Sequence, residues 1–135
     1  MKKQKKGFTL IELLIVVVIV GILALAAIPL ITANTRDARR SEGEQQLGSM
    51  KNQARVAFAK TGKVPATLTG SIDATGSGVA AAELIGKYFQ VTDAIAGTAA
   101  ACKMTATPAP TGTATDGTCT LTFAMAGGDG SFVWA

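Results

Sequence analysis

A single carboxylate stands at the mouth of a long uncharged run. In Gly7-Phe8-Thr9-Leu10-Ile11-Glu12 the acid follows an aromatic by four positions, and the next charge, Arg36, comes only after 23 uncharged residues. A carboxylate in that setting is costly in lipid unless a cation or hydrogen-bonding group meets it. No cation lies between Gly7 and Thr35. Its partner must therefore come from outside the segment, or the side chain must snorkel to headgroups. Two further sets of residues invite chemistry. Cys102 and Cys119 are the only thiols; their spacing fits no C-x-x-C redox motif, and two are too few for a four-cysteine zinc site. Asp116 and Asp129 sit in glycine-rich stretches that could supply calcium oxygens, but two acids a strand apart fall short of the ligand set calcium takes. There is no His, the commonest general base, and no P-loop, nucleophile elbow or telling carboxylate pair. The reading is of a chain with no catalytic residues, no metal and no cofactor.

The elements that would position these residues begin with a helix. Leu13 to Ile31 is nearly pure Leu, Ile, Val and Ala. Nineteen helical residues span roughly 28 Å, the thickness of a bilayer core. Uncharged on every face, this segment reads as membrane-spanning. Lys2, Lys3, Lys5 and Lys6 precede it and hold that end in the cytoplasm, leaving the C-terminus outside. A secretory signal peptide cleaved after Ala24-Leu25-Ala26 is the alternative, and would release a soluble binding domain. Glu12 and the apolar continuation to Ile31 argue against it. The chain carries 13 Lys+Arg against 9 Asp+Glu, yet with residues 1–7 set aside the balance is 9 against 9. A basic nucleic-acid-binding body is a poor reading.

Lys5-Lys6-Gly7-Phe8-Thr9-Leu10-Ile11-Glu12 followed by a long apolar helix resembles the N-terminus of type IV prepilins and their pseudopilin relatives, most closely the type IVa kind. The resemblance covers residues 1 to about 60. It implies an α+β fold, with a long N-terminal helix (its first half transmembrane) packed on a small antiparallel β-sheet head. It implies that residues 1–7 are a leader removed by a membrane prepilin peptidase cutting after Gly7, and that the same enzyme methylates the new amine of Phe8. A glycine lets the backbone lie extended in a protease cleft. Glu12 then pairs with the Phe8 amine of a neighbouring subunit, and copies polymerise into a helical filament with help from an assembly platform and a cytoplasmic ATPase. The precursor would reside in the inner membrane and the product in a surface pilus, with adhesion, motility or DNA uptake as filament functions. A pseudopilin of type II secretion is the neighbouring alternative. Between Gly21 and Pro29 the family's helix unwinds in filaments; Pro29 also lacks an N–H and clashes with the Leu25 carbonyl. The family often carries a C-terminal disulfide. An exterior head makes a Cys102–Cys119 bridge expected, contributing roughly 3 kcal/mol in the chain-entropy model. If the two cysteines face each other, Met104 faces Gly117 and Ala100 faces Leu121.

The remaining organisation follows from periodicity. Residues 8–35 form the apolar helix and 36–62 an amphipathic continuation, with Ala38, Leu47, Met50, Ala54 and Ala57 or Phe58 on its apolar face. Arg36, Arg39, Arg40, Glu42 and Glu44 make its wet surface. Gly62 and Pro65 stop it. Residues 63–135 form the head. Within it, residues 66–78 read as a loop and Val79 to Phe89 as a short helix ending near Gly86, with Tyr88-Phe89 in the core. Cys102, Met104 and Ala106 alternate with Lys103 and Thr105. Cys119, Leu121 and Phe123 alternate with threonines, and Phe132 and Trp134 with Ser131 and Val133. These are half-buried antiparallel strands joined across the loop 107–117. Arg36 to Lys63 carries seven positive and three negative residues, net +4, and Val64 to Ala135 two and five, net −3. This polarity suits stacking one subunit's acidic head on another's basic stalk, or basic residues lying beside anionic headgroups.

Overall fold

The computed structural model describes residues 7–72, 76–110, 112 and 114–135. One helix, α1, runs Leu10–Thr61 over 52 residues. Its length matches the expectation, and it ends where Gly62 takes a left-handed φ of 69° and donates its N–H to the Phe58 carbonyl at 2.7 Å. A glycine at this position closes a helix without the Cβ clash any other residue would meet.

The chain divides into two compact units, residues 1–35 and 36–135. In the first, α1 continues through Gly21 and Pro29 without a break. The unwinding that the resemblance implies there belongs to assembled filaments; in the single subunit the helix is continuous. A mid-helix proline costs one backbone hydrogen bond, roughly 3 kcal/mol in an exposed helix. Here the turns just beyond it gain side-chain bonds. The Thr32 hydroxyl donates to the Pro29 carbonyl at 2.9 Å and that of Thr35 to the Ile31 carbonyl at 2.7 Å.

In the second unit the rest of α1 packs on a β-sheet. The stripe that it buries is Gly43, Leu47, Met50, Ala54 and Ala57. Ala38, expected on this face, is exposed, and Gly43 takes part instead. A Cβ on Gly43 would lie 3.2 Å from the Phe89 ring, so the missing side chain is what lets strand and helix approach. The sheet is formed by β3 (Phe89–Val91), β4 (Ala96–Thr98), β5 (Ala101–Pro108), β6 (Cys119–Phe123) and β7 (Ser131–Trp134). Its order is β3-β5-β6-β7, all antiparallel, with β4 also pairing β5. The two-residue alternation holds: Cys102, Met104, Ala106, Cys119, Leu121 and Phe123 are buried, and they join Leu47, Met50 and Ala54 of α1 in one core.

Two stretches differ from the sequence reading. Residues 66–78 contain β1 (Thr67–Thr69) and β2 (Gly76–Val79), a short parallel pair. Their Thr, Gly and Ser composition carries no strand signal. Tertiary contacts make them strands: Leu68 and Val79 enter the core, and the Asp93 carboxylate accepts the Thr69 N–H at 2.7 Å and hydroxyl at 2.6 Å. Those two bonds favour the ionised form and pull Asp93 below the usual carboxylate range. In place of the expected helix over Val79 to Phe89 there is a single 3₁₀ turn, Ala81–Leu84, before β3 begins at Phe89.

The cysteines require a further correction. Cys102 lies opposite Phe123, and Cys119 opposite Ala106. The hairpin is centred on its connecting loop, so the thiols share a face but sit four positions apart along the ladder. At about 3.4 Å per residue that offset is roughly 14 Å, beyond the Cα separation of about 7 Å that a disulfide tolerates. Both are free and buried. The register that a disulfide required, Met104 against Gly117, is displaced by the pairing of Met104 with Leu121. That pairing keeps both hydrophobic sets on the core face. Burial and the nearby Glu44 charge push the Cys119 thiol up to about 11, with Arg40 opposing, and burial also raises Cys102. Both thiols therefore stay protonated near neutral pH. Without reductant, the native protein should resist iodoacetamide at pH 8, and denaturant should release two alkylatable thiols; a mass two daltons low with no alkylation would mean that β5 and β6 pair in another register.

Candidate functional site

The N-terminal segment presents its features in order. Gly7, Phe8 and Thr9 are exposed and precede the first turn of α1, and a Cβ on Gly7 would meet nothing within 4 Å. The Gly7–Phe8 bond thus lies in accessible, non-helical backbone, the form a peptidase needs. The leader residues 1–6 lie outside the described residues. Thr9 is the N-cap and Glu12 the third helical residue. One oxygen of Glu12, Oε2, accepts both the Thr9 N–H at 3.0 Å and the Thr9 hydroxyl at 2.7 Å. This is a form of the capping box, in which the acid satisfies a backbone donor that the helix leaves unpaired. The T-x-x-E spacing ahead of an apolar run is the sequence signal for this cap, a role for Glu12 beyond that of a carboxylate in lipid. Glu12 has local hydrogen bonds, but it has no cation from its own segment. Its other oxygen, Oε1, makes no hydrogen bond among the described residues.

Beyond Glu12, residues 13–38 are exposed on every face of the helix. Seventeen large apolar side chains from Phe8 to Ile31 have no cover. By length and composition α1 can cross a membrane. Gly21 and Pro29 both lie on this exposed stretch.

The polar residues of the second unit lie elsewhere than expected. Arg39, Arg40, Glu42 and Glu44 flank the buried stripe and bind the head while staying partly exposed. Glu42 Oε1 accepts the Tyr88 N–H at 2.8 Å, and Glu44 Oε1 accepts the indole N–H of Trp134 at 2.8 Å. Trp134 in turn packs edge-on against Phe89, with ring centroids 5.4 Å apart, and lies under the Arg40 guanidinium. Arg40 donates to the Asp116 carbonyl at 2.8 Å, and Arg39 pairs with the Asp116 carboxylate at 3.2 Å. Asp116 is 2% exposed; its carboxylate faces Arg39, and no group of three or more metal-ligating side chains occurs among the described residues. Lys51 holds the Asp129 carbonyl, and Arg55 those of Ala124 and Gly128. Strand ends and loops leave carbonyls without ladder partners, and these stalk cations meet them. Much of the stalk's positive charge is therefore engaged within the subunit, rather than left for stacking on another head.

An exposed Gly7–Phe8 junction, a capped carboxylate, a bare apolar helix long enough to cross a membrane and an α+β head match the fold expected of a type IV prepilin. Residues 2–28 match the family model described as the prokaryotic N-terminal methylation motif. The chain is 37% identical over 137 residues to fimbrial protein EcpC of Eikenella corrodens, covering 99% of this chain and 83% of that protein. It is 38% identical over 90 residues to a fimbrial protein of Neisseria meningitidis serogroup B, covering 67% of this chain and 50% of that one. It is 37% identical over 92 residues to the type IV major pilin protein PilE1 of Neisseria gonorrhoeae, covering 67% and 52%. The chain thus spans about half the length of these neisserial relatives and most of EcpC. It belongs to the type IV prepilin family of fimbrial proteins.

The cap makes a local prediction. In detergent-solubilised protein, Thr9→Val removes the hydroxyl bond to Glu12 and weakens the N-cap by about 1 kcal/mol, so the amides that close the opening turns, beginning with Leu13 N–H to the Thr9 carbonyl, should exchange several-fold faster. Unchanged exchange would mean that the Thr9–Glu12 bond does not hold the helix start.

Proposed function

We propose that this type IV prepilin is stored in the inner membrane with its C-terminus outside, cleaved after Gly7, methylated at Phe8 and polymerised as a structural subunit of a surface pilus. The observation that carries this reading is the methylation motif at residues 2–28, running directly into a bare apolar helix with Glu12 at its first turn. Cleavage creates an amine at Phe8, five positions from the nearest remaining charged residue counted inclusively, Glu12. In a filament the Glu12 carboxylate of one copy takes the Phe8 amine of another, through the oxygen that Thr9 leaves open.

The pairing has a physical consequence for order of assembly. An apolar helix gains little by leaving lipid for other apolar helices, because lipid tails are as apolar as leucine. An unpaired carboxylate gains much more, since a charge buried with a partner is far less costly than one buried without. Apolar packing alone would let copies slide; the Glu12–Phe8 pair fixes their register. A prepilin peptidase and methyltransferase, an assembly platform and a cytoplasmic ATPase are the partners this route requires. Adhesion, motility and DNA uptake would be properties of the filament. Direct nucleic-acid binding by the stalk has little to work with, because Arg39, Arg40, Lys51 and Arg55 are engaged on the head.

Replacing Glu12 tests the pairing. Glu12→Ala should leave cleavage after Gly7 intact and reduce sheared filaments by at least an order of magnitude, with the processed subunit retained in the membrane. Normal filament yield from that variant would remove Glu12 from the account.

A further inference from the structure

We infer that the Asp129–Gly130 step is a site of spontaneous isoaspartate formation, and that Lys51 steers the reaction toward that product. The sequence holds two Asp-Gly steps, Asp116-Gly117 and Asp129-Gly130. Such a step is open to one intramolecular reaction. The glycine backbone nitrogen attacks Cγ of the aspartic acid and loses its proton, and a carboxyl oxygen leaves as water. A five-membered succinimide results. Water then opens the ring on one of two sides. Addition at Cγ restores aspartate. Addition at the backbone carbonyl carbon of the aspartate breaks that carbon's bond to the glycine nitrogen. The chain then runs through Cβ and Cγ, and the former backbone carbonyl is a free carboxylate. One water is released and one is taken up, with no oxidant or reductant. Glycine permits the attack because no side chain shields its nitrogen.

The head treats the two steps differently. Asp116 is 2% exposed; Arg39 holds its carboxylate at 3.2 Å and Arg40 its carbonyl at 2.8 Å. Gly117 is walled in, since a Cβ there would lie 2.6 Å from the backbone oxygen of Ala135. Turning the Asp116 carboxyl onto the Gly117 nitrogen would break the ion pair in a space closed to water. Asp129 and Gly130 are both exposed. Among the described residues, the Asp129 carboxylate has no hydrogen-bond or ion-pair partner, and the Gly130 N–H joins none of the backbone bonds of the β6–β7 connection. The fold nevertheless requires glycine at 130: its φ is 77°, and a Cβ would lie 2.8 Å from the Thr122 carbonyl oxygen. The residue that opens this step to reaction is thus one that the entry to β7 cannot exchange.

Lys51 sets the direction of ring opening. Its Nζ donates to the Asp129 backbone carbonyl at 3.0 Å. In the succinimide that oxygen belongs to one of the two imide carbonyls, and the ammonium polarises it. Water therefore adds there in preference to Cγ, which is the addition that gives isoaspartate. After opening, the same oxygen is part of a carboxylate, so a cation that faced a neutral acceptor faces an anion, and the contact strengthens. The product has a longer backbone between residues 129 and 130 and an ion pair from the β6–β7 connection to α1. Lys51 touches the reacting carbonyl without exchanging a proton or a bond with it; it is a positioning residue.

Prolonged incubation of the detergent-extracted full chain at neutral pH in heavy-oxygen water tests the inference, with the guanidinium-unfolded chain as reference. Every ring opening leaves one heavy oxygen, and peptide mass spectrometry with electron-transfer fragmentation separates isoaspartate from restored aspartate. The folded chain should accumulate isoaspartate at Asp129 and not at Asp116, and the unfolded chain at both. Absence of isoaspartate at Asp129 of the folded chain, over a time in which the unfolded chain forms it, would overturn the inference. Equal amounts at Asp116 and Asp129 of the folded chain would do the same. Lys51→Gln should lower the ratio of isoaspartate to restored aspartate about three-fold, the scale of an exposed charge contact, and Lys51→Arg should preserve it. A loosened loop alters how fast the ring forms and not which side opens, so an unchanged ratio in Lys51→Gln would remove the steering role. Continued protection of Asp116 in that variant shows that its head is still folded.

Discussion

A helical surface of 23 uncharged residues that nothing described in the chain covers is the constraint on which the rest depends. Leaving a Val, Leu, Ile or Phe side chain in water rather than buried costs roughly 1.5–3 kcal/mol. Seventeen such side chains exposed from Phe8 to Ile31 amount to tens of kcal/mol, well above the 5–15 kcal/mol by which a domain is stable. This half of α1 cannot persist in water alone. Lipid or other copies of the helix must surround it. Apolar contact supplies cover in either setting but hardly distinguishes them, so the polar exception in the segment, Glu12, becomes the group that can. Its hydrogen bonds to Thr9 start the helix, and its remaining oxygen is available to a partner.

The second half of α1 obeys a different constraint. It must present an apolar stripe to a sheet while standing beside loops whose carbonyls lack partners. Small residues solve the first problem: Gly43, Ala54 and Ala57 let the strands come close, and Phe89 sits against Gly43. Charged residues solve the second. Arg39 and Arg40 secure the turn at Asp116, while Lys51 and Arg55 secure the β6–β7 connection. Glu42 and Glu44 receive N–H groups of Tyr88 and Trp134. The opposite charges of stalk and head are thus partly an internal fastening. The face left over is the far side of the sheet, rich in threonine and almost free of charge.

Where one local pattern decides the structure, it was legible in the residues. The long helix, its end at Gly62, and the alternation of β5 and β6 each follow from a periodicity or a turn residue. The strands β1 and β2 did not, because Thr67–Thr69 and Gly76–Val79 become strands only through Leu68, Val79 and Asp93, partners distant in sequence. The cysteines misled for a related reason: two thiols in an exterior head suggest a bond, but register is set by matching apolar faces across the whole hairpin, and that match separates them. Arg39, Arg40, Glu42 and Glu44 read as solvent-facing because a helical pattern identifies the buried stripe and not what lies along its flanks. At the N-terminus the motif, the uncharged run and the carboxylate were all visible. The capping bond from Thr9 is encoded there too, as T-x-x-E, so one carboxylate carries both a helix start and an unmet charge.

The central claim, that a bare helix beginning with a freed amine and a carboxylate makes this chain a filament subunit, is tested most directly by mass spectrometry of the protein in material sheared from whole cells. The account predicts an intact chain from Phe8 to Ala135 bearing one methyl group on its N-terminal amine. A chain in the medium beginning at Ala27 would contradict it, because the segment that carries the whole argument would then be a discarded signal peptide.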